Sequence, residues 1–383
     1  MASSSSVVFD DLRVVQITDT HLLQDPSDVS RHGIRAFVSC SEVLSLSRGH
    51  SLGGDSHLDG DSSSPFDFLI HTGDVSGDDS SSSYELLASL IKVKASQLES
   101  LSKQQEQQAL VENPHRPVVV ITPGNHDVVS YESLQEVAHT HKWTIPPKAS
   151  FRLLNPHKNK NIRDGDDDGD GPWRILIIDT AKHDANGDAV HGAVSHEAIE
   201  AMRSVLSEDT HARNPSRRFL VVMHHPPIPP GNERSVWNKQ CLANADEFLN
   251  SLPPPPENAT HSVRYILLHG HTHSLYTRVG TDDGLPAWCA QRSCPSTCHQ
   301  YLEDAETFTC DRGALPAYQQ ITLHADGMCT MRVRRLDELS ERAQTGAYVT
   351  AEEDSLDANS LMAAFAKASE VQQSGSPVTH FRV

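Results

Sequence analysis

The sequence predicts an α/β protein. Three observations carry that prediction: six short β-rich runs closed by polar clusters, helical patterns between several of them, and a C-terminal section of strands only. At 383 residues the chain is long enough for a sizeable buried core. The first strand, Leu12–Thr18, runs into Asp19-Thr20-His21, and the second, Phe66–Thr72, into Gly73-Asp74. Tyr84–Leu101 then shows a helical stripe at Leu86, Leu87, Leu90 and Ile91. The third strand, Pro117–Thr122, leads to Gly124-Asn125-His126-Asp127. The fourth, Trp173–Thr180, precedes a helix with Ser195 as N-cap, Glu197 in its first turn, and Ala198, Met202, Val205 and Leu206 on one face. The fifth, Arg218–His224, ends in His224-His225-Pro226-Pro227. A stiff spacer, Pro253–Pro256, leads to the sixth, Val263–His269, which ends in Gly270-His271-Thr272-His273. After Leu285, Tyr318–His324 and Cys329–Arg335 read as a hairpin across Ala325-Asp326-Gly327.

Composition narrows the function classes. A formal net charge of −19 argues against nucleic-acid binding, which rests on Lys and Arg neutralising phosphate, and against an anionic membrane surface. The apolar runs are too short for a membrane helix. Met1–Asp11 lacks a basic region and makes a poor signal peptide. The seven cysteines match no paired zinc motif and suggest reduced thiols in a cytoplasmic protein, with a local disulfide among Cys289, Cys294, Cys298 and Cys310 as the alternative. Hydrophobic residues make up only 37%, so part of the chain is expected in solvated insertions, placed at about 47–65, 76–83 and 155–172. Asp164, Asp166, Asp168, Gly169 and Asp170 match half of a calcium loop, but Ile175 stands where its bidentate Glu belongs, so the run reads as an acidic loop. Residues 337–383 are expected as a tail with a short amphipathic helix, Ser355–Val371.

Histidine is the odd feature, at 23 residues. In an open α/β sheet, ligands bind outside the carboxyl ends of the strands. Five strand ends deliver Asp19, His21, Asp74, Asn125, His224, His271 and His273 to such an edge. Each pair has a dull reading: Asp19 as a helix cap, Gly73-Asp74 as an ordinary turn, His271 and His273 as an exposed loop. All five in this order point instead to a metal site. Seven N/O donors without cysteine exceed what one ion takes once water is allowed for. Two ions roughly 3.5–4 Å apart fit that number, with Mn, Fe, Zn and Co all suited to the donors.

Asp-x-His, Gly-Asp, Gly-Asn-His-Asp, His-His-Pro-Pro and Gly-His-Thr-His, in that order between Leu12 and about Leu336, resemble the calcineurin-like metallophosphoesterase superfamily. Within it, Asp19-Thr20-His21-Leu22, Ile178-Asp179-Thr180, His191-Gly192, Cys294-Pro295-Ser296-Thr297-Cys298 and Ala317-Tyr318-Gln319-Gln320-Ile321 resemble the class III (bacterial-type) cyclic-nucleotide phosphodiesterases and their glycerophosphodiesterase relatives. The resemblance implies a four-layer α/β/β/α sandwich, one domain over residues 12–336, and two divalent or trivalent ions (Mn, Fe or Zn). It implies that Asp19, His21 and His273 hold the first ion, Asn125, His224 and His271 the second, and that Asp74 bridges them. His126 would contact phosphate, with Asn125 nearby, and protonate the leaving oxygen. Asp127 would orient His126. His225 is read as a substrate-rim or supporting residue, or alternatively as an exposed strand end. The implied reaction is hydrolysis of a small phosphodiester, 3′,5′-cAMP first, by in-line attack of a metal-bridging hydroxide. The alternatives are a broader phosphodiesterase or phosphomonoesterase, and an inactive scaffold. Nothing in the sequence selects an oligomeric state.

Overall fold

The computed structural model describes residues 9–25, 36–49, 66–92, 117–159, 171–182, 191–212, 217–256, 263–281, 284–311, 314–336 and 379–381. The acidic run 164–170, the tail helix proposed over 355–371 and most of the 47–65 insertion lie outside them.

The strands form two six-stranded sheets. In the first, β1 (Leu12–Ile17), β2 (Phe68–His71) and β3 (Val118–Ile121) run parallel, and β12 (Ala317–Leu323) joins β1 antiparallel. The predicted hairpin is present as β12 and β13 (Cys329–Arg335), and a short strand, β14 (Thr379–Phe381), pairs beyond it. The second sheet is ordered β4 (Phe151–Leu154), β5 (Trp173–Ile178), β6 (Arg218–Val222), β7 (Tyr265–His269), β9 (Cys289–Ser293), β8 (Thr277–Val279). Strands β5, β6, β7 and β9 run parallel, with antiparallel strands at both edges. A two-stranded ribbon, β10 (Gln300–Tyr301) with β11 (Cys310–Asp311), stands apart from both sheets. The six strands read from sequence therefore divide three and three between two sheets.

Side chains alternate along a strand, so one set of residues on each sheet must find a partner layer. Leu12, Val14, Phe68, Ile70, Val120, Ile321 and Met331 of the first sheet share one apolar cluster with Ile175, Ile177, Leu220, Val222, Ile266 and Leu268 of the second. The opposite face of the first sheet, through Val15, Ile17, Leu69, Val119 and Ile121, packs on α1 (Ala36–Gly49), α2 (81–92) and α3 (Tyr131–His141). The opposite face of the second, through Leu176, Ile178, Phe219, Val221 and Leu267, packs on α4 (His196–Ala212) and α5 (Ala245–Ser251). Ser195 caps α4 as its sequence suggests, its Oγ accepting the Ala198 N–H at 3.1 Å. Ile199 joins the buried face of α4, whereas Val205 is turned outward.

The Ser76–Ser83 tract is an ordered turn leading into α2, with Asp78, Asp79 and Ser81 exposed. Ser76 and Ser83 are buried, Ser83 Oγ donates to Leu22 O at 2.8 Å, and Asp78 accepts from Ser76 Oγ, Ser80 N and Ser83 Oγ just before α2 begins. Its serines serve turn and cap chemistry, which composition alone does not separate from a flexible loop. All seven cysteines are free thiols and six are buried. Burial pushes the Cys40 and Cys241 thiols up to about 12. Among the described residues no helix is long and apolar enough to cross a membrane.

Candidate metal centre

Where β1, β2 and β7 stop, the chain turns through left-handed backbone. Asp19, His21, Asp74, His271 and His273 all have positive φ, between 43° and 67°. For residues with a Cβ this costs of order 1–3 kcal/mol each and persists only where the surroundings impose it. Here the turns impose it on one another. Asp19 N–H donates to Gly73 O at 3.0 Å, His21 N–H to Asp74 O at 3.1 Å, and His271 N–H to the Asp19 carboxylate at 3.1 Å. Gly73, at φ +95°, permits the closest approach, since a Cβ there would lie 2.3 Å from His224 Nδ1.

The strain aims acceptors inward. His273 Nδ1–H donates to His299 O at 2.8 Å, so its Nε2 presents a lone pair to His21 Nε2 at 3.0 Å and Asp19 Oδ1 at 3.3 Å. His224 Nδ1–H donates to Thr72 O at 2.7 Å. Its Nε2 therefore faces Asn125 Oδ1 at 3.2 Å, His271 Nδ1 at 3.2 Å and Asp74 Oδ2 at 3.4 Å. Asp19, His21 and His273 have ligand atoms mutually within 4.8 Å, as do Asp19, Asp74 and His224, and His21, Asp74 and His126. Two acceptor groups thus meet at Asp19 and Asp74 in a buried setting. Lone pairs facing one another out of water are unfavourable unless a cation lies between them. The donor set fits a dinuclear divalent metal centre of N and O ligands.

The electrostatics suit cation binding. Burial first, then the neighbouring His273, holds His21 down to about 3, and burial with His224 does the same to His271, leaving both imidazoles in the neutral form that binds metal. Burial works to raise Asp19, but the facing His273 together with His224 outweighs it and the carboxyl sits at about 2. Asp74 likewise lies well below the usual carboxylate range, burial being outweighed by His224 and His126. His224 goes the other way. Burial opposes its charge, yet Asp74 and Asp19 lift it to about 9, so a proton there does part of what a cation would do.

Most of these side chains are deeply buried, whereas Asn125 and His126 are half-exposed and form the open side of the cluster. His126 N–H donates to Asp74 Oδ1 at 2.9 Å, and its ring stands edge-on to His21 with centroids 5.1 Å apart. Asp127 differs from its sequence expectation, and of the readings offered for His225 only the supporting one is compatible with its place. Asp127 faces inward from a one-turn helix rather than toward the His126 ring. Its two oxygens accept from Gly124 N, Val75 N, Ser76 N and Tyr84 Oη at 2.9–3.3 Å. Those four donors occupy the carboxylate, so Asp127 ties the Asn125 turn to the Asp74 turn. His225 is neither an exposed strand end nor a rim residue. It is buried, Nδ1 lies 3.0 Å from Thr180 Oγ1, its ring packs against His224 and His271, and Gly192 backbone closes on it.

The sequence placed no site residue in the Cys294–His299 segment, which braces the first strand end. Ser296 Oγ donates to Asp19 O at 2.9 Å, and Thr297 N–H and Oγ1–H both donate to Thr18 O. His71 was also passed over. It is buried beside Thr20 Oγ1 at 3.0 Å and accepts Gly73 N–H. The sequence signal for it was a histidine inside an otherwise apolar strand, Phe68-Leu69-Ile70-His71.

Several known proteins are similar to this chain. A 3′,5′-cyclic adenosine monophosphate phosphodiesterase CpdA from Escherichia coli K12 is 27% identical over 340 residues, covering 88% of this chain and 94% of that one. The CpdA of Haemophilus influenzae is 24% identical and covers 85% and 91%. A 3′,5′-cyclic-nucleotide phosphodiesterase of Nostoc, alr5338, is 23% identical and covers 85% and 92%. Among solved structures, a dimetal phosphatase from Danio rerio aligns at a TM-score of 0.49 and 10% identity, covering 85% of this chain and 96% of that one. The family model described as calcineurin-like phosphoesterase matches residues 12–275, most of the chain, and the protein belongs to that family of hydrolytic enzymes.

Proposed function

We propose that this protein hydrolyses a 3′,5′-cyclic nucleotide, cAMP first among them, to the 5′-monophosphate, and that residues 12–336 act as one phosphoesterase domain. The observation that carries the reading is the half-exposed pair Asn125 and His126, the open side of an otherwise buried N/O cluster. The full-length likeness to proteins named as cyclic-nucleotide phosphodiesterases supports the substrate. Asp19, His21 and His273 would hold one ion, Asn125, His224 and His271 the other, with Asp74 between. Manganese, iron and zinc all match the donors. Divalent ions held there would supply a lowered pKa for water and positive charge opposite the phosphoryl oxygens.

The remaining work falls to the chain's own residues. Thr72 and His299 carbonyls fix the His224 and His273 tautomers and so aim both Nε2 lone pairs inward. Asp74 Oδ1 accepts the His126 backbone N–H and sets that residue at the mouth of the cluster. From there the His126 imidazolium gives its proton to the departing 3′ oxygen, and Asn125 contacts the phosphate. With a chain charge of −19, attraction for an anionic diester has to be local to this centre. Seven unbridged thiols agree with a reducing, cytoplasmic setting.

A substrate panel tests the proposal: turnover of 3′,5′-cAMP, 2′,3′-cAMP, bis-p-nitrophenyl phosphate and p-nitrophenyl phosphate by the metal-loaded enzyme. The expected order puts 3′,5′-cAMP first by kcat/KM. Faster monoester than diester turnover contradicts it.

A further inference from the structure

We infer that the β10–β11 ribbon carries a nucleobase-stacking subsite, with Phe308 as its contact face, a reading that rests on the proposed nucleotide substrate. Aromatic rings form a continuous wall from the metal cluster to the surface. Tyr301 packs on His273 with centroids 4.9 Å apart, and Trp237 stands 5.7 Å from His271. Phe308 then lies 5.7 Å from Tyr301 and 5.4 Å from Trp237. Trp237 and Tyr301 are buried, whereas Phe308 is 47% exposed, and Leu302, in the same β10–β11 connection, is 44% exposed. Among the described residues only four large apolar side chains are exposed, and Phe308 is the aromatic one. An exposed ring backed by two buried rings is a surface to which a flat apolar-faced ligand can stack.

Three further features narrow the ligand to a base joined to the reacting phosphate. The wall begins on two of the candidate ligands and reaches Phe308 in two ring-to-ring steps, so packed side chains join the exposed ring to the proposed phosphate site. The ribbon is anchored rather than loose: Leu302 N–H donates to Thr309 O at 2.9 Å, Val236 N–H to Ala305 O at 3.0 Å, and Asn232 N–H to Asp304 Oδ1 at 3.0 Å. A preformed face loses little entropy on stacking. Finally, Glu303 and Asp304 lie on the same ribbon, and their carboxylates disfavour a second phosphate while leaving a neutral base unpenalised.

The test compares 3′,5′-cAMP with ribose 3′,5′-cyclic phosphate lacking a base. Phe308→Ala should raise KM for cAMP about five- to tenfold, the low end of what base–aromatic stacking contributes because the ring is half-exposed. Its kcat, its metal content and its KM for the base-free diester should not change, and Phe308→Tyr should restore the wild-type KM. An unchanged cAMP KM, or an equal rise for both substrates, overturns the subsite. A second arm does not depend on cyclic-nucleotide turnover: inhibition of bis-p-nitrophenyl phosphate hydrolysis by AMP and by ribose 5-phosphate. AMP should inhibit at least fivefold more strongly in the wild type, and equally with ribose 5-phosphate in Phe308→Ala. Equal inhibition in the wild type refutes the subsite even if the substrate is another phosphodiester. A wild type that prefers AMP yet does not turn over cAMP refutes the proposed substrate and keeps the subsite.

Discussion

Replacing Asp127 by asparagine separates two roles for one carboxylate. If Asp127 serves the His126 ring, the variant loses rate and little else. If it ties together the turns bearing Asp74 and Asn125, the variant loses stability and metal. The structure allows the second to be sized. Asparagine keeps one carbonyl oxygen, which can still accept two of the four donors. Its amide then faces either the Gly124 and Val75 N–H groups or the Ser76 N–H and the Tyr84 hydroxyl. The second placement is the milder, because the hydroxyl can reverse and accept. One buried N–H is left without an acceptor, at about 1–3 kcal/mol, and the surviving bonds lose their charge assistance, at about 1 kcal/mol more. A loss of about 2–4 kcal/mol lowers Tm by about 4–8 °C in a chain of this size. Calorimetry of metal-loaded Asp127→Asn should show that fall together with weaker metal retention. An unchanged Tm and metal content with a rate loss matching His126→Ala would refute the bracing role and return Asp127 to the imidazole.

His126→Ala should keep its metal content in elemental analysis while kcat drops by roughly 10²–10⁴, the range for losing a general acid; equal loss of metal would show His126 to be a ligand. Gly73→Ala should destabilise by about 2–5 kcal/mol in urea unfolding, through positive-φ strain plus the overlap of its Cβ with His224, and unchanged stability would mean the turn relaxes freely. Between pH 6.5 and 9 the metal-free protein should lose stability as pH rises. The folded His224 value of about 9 stands above the free-histidine 6.5, so the stabilisation is complete below pH 6.5 and gone above pH 9, amounting to about 3 kcal/mol. The same titration with metal bound should lack that slope, because the ion replaces the proton, and a persisting slope would place His224 outside the centre.

Much of the site was legible because its residues sit at abrupt changes of pattern. Asp19, Asp74, Asn125, His224 and His271 each follow an apolar run within a few residues, and a strand end projects its polar neighbours to one edge. What such runs conceal is pairing. Nothing in Leu12–Thr18 or Trp173–Thr180 says that they belong to different sheets, since both are buried on two faces and lack alternation. Short elements were equally hidden. Strand β8 is three residues long, and α5 is one of seven, Ala245–Ser251, too short for a helical period to show. The surroundings of Asp127 and His225 were hidden for a shared reason. Their motifs place them beside working residues, but which way a side chain leaves a tight turn depends on donors far along the chain, Tyr84 for one and Thr180 for the other.

The central claim is that seven side chains on five strand ends hold two ions across Asp74. Elemental analysis of the enzyme after saturation with Mn, Fe or Zn and removal of excess, performed alongside Asp74→Ala, tests it most directly. Two ions per chain are expected in the wild type, and Asp74→Ala should lose both metal and phosphodiesterase rate. One ion or fewer in the saturated wild type, or two ions retained without Asp74, would contradict it.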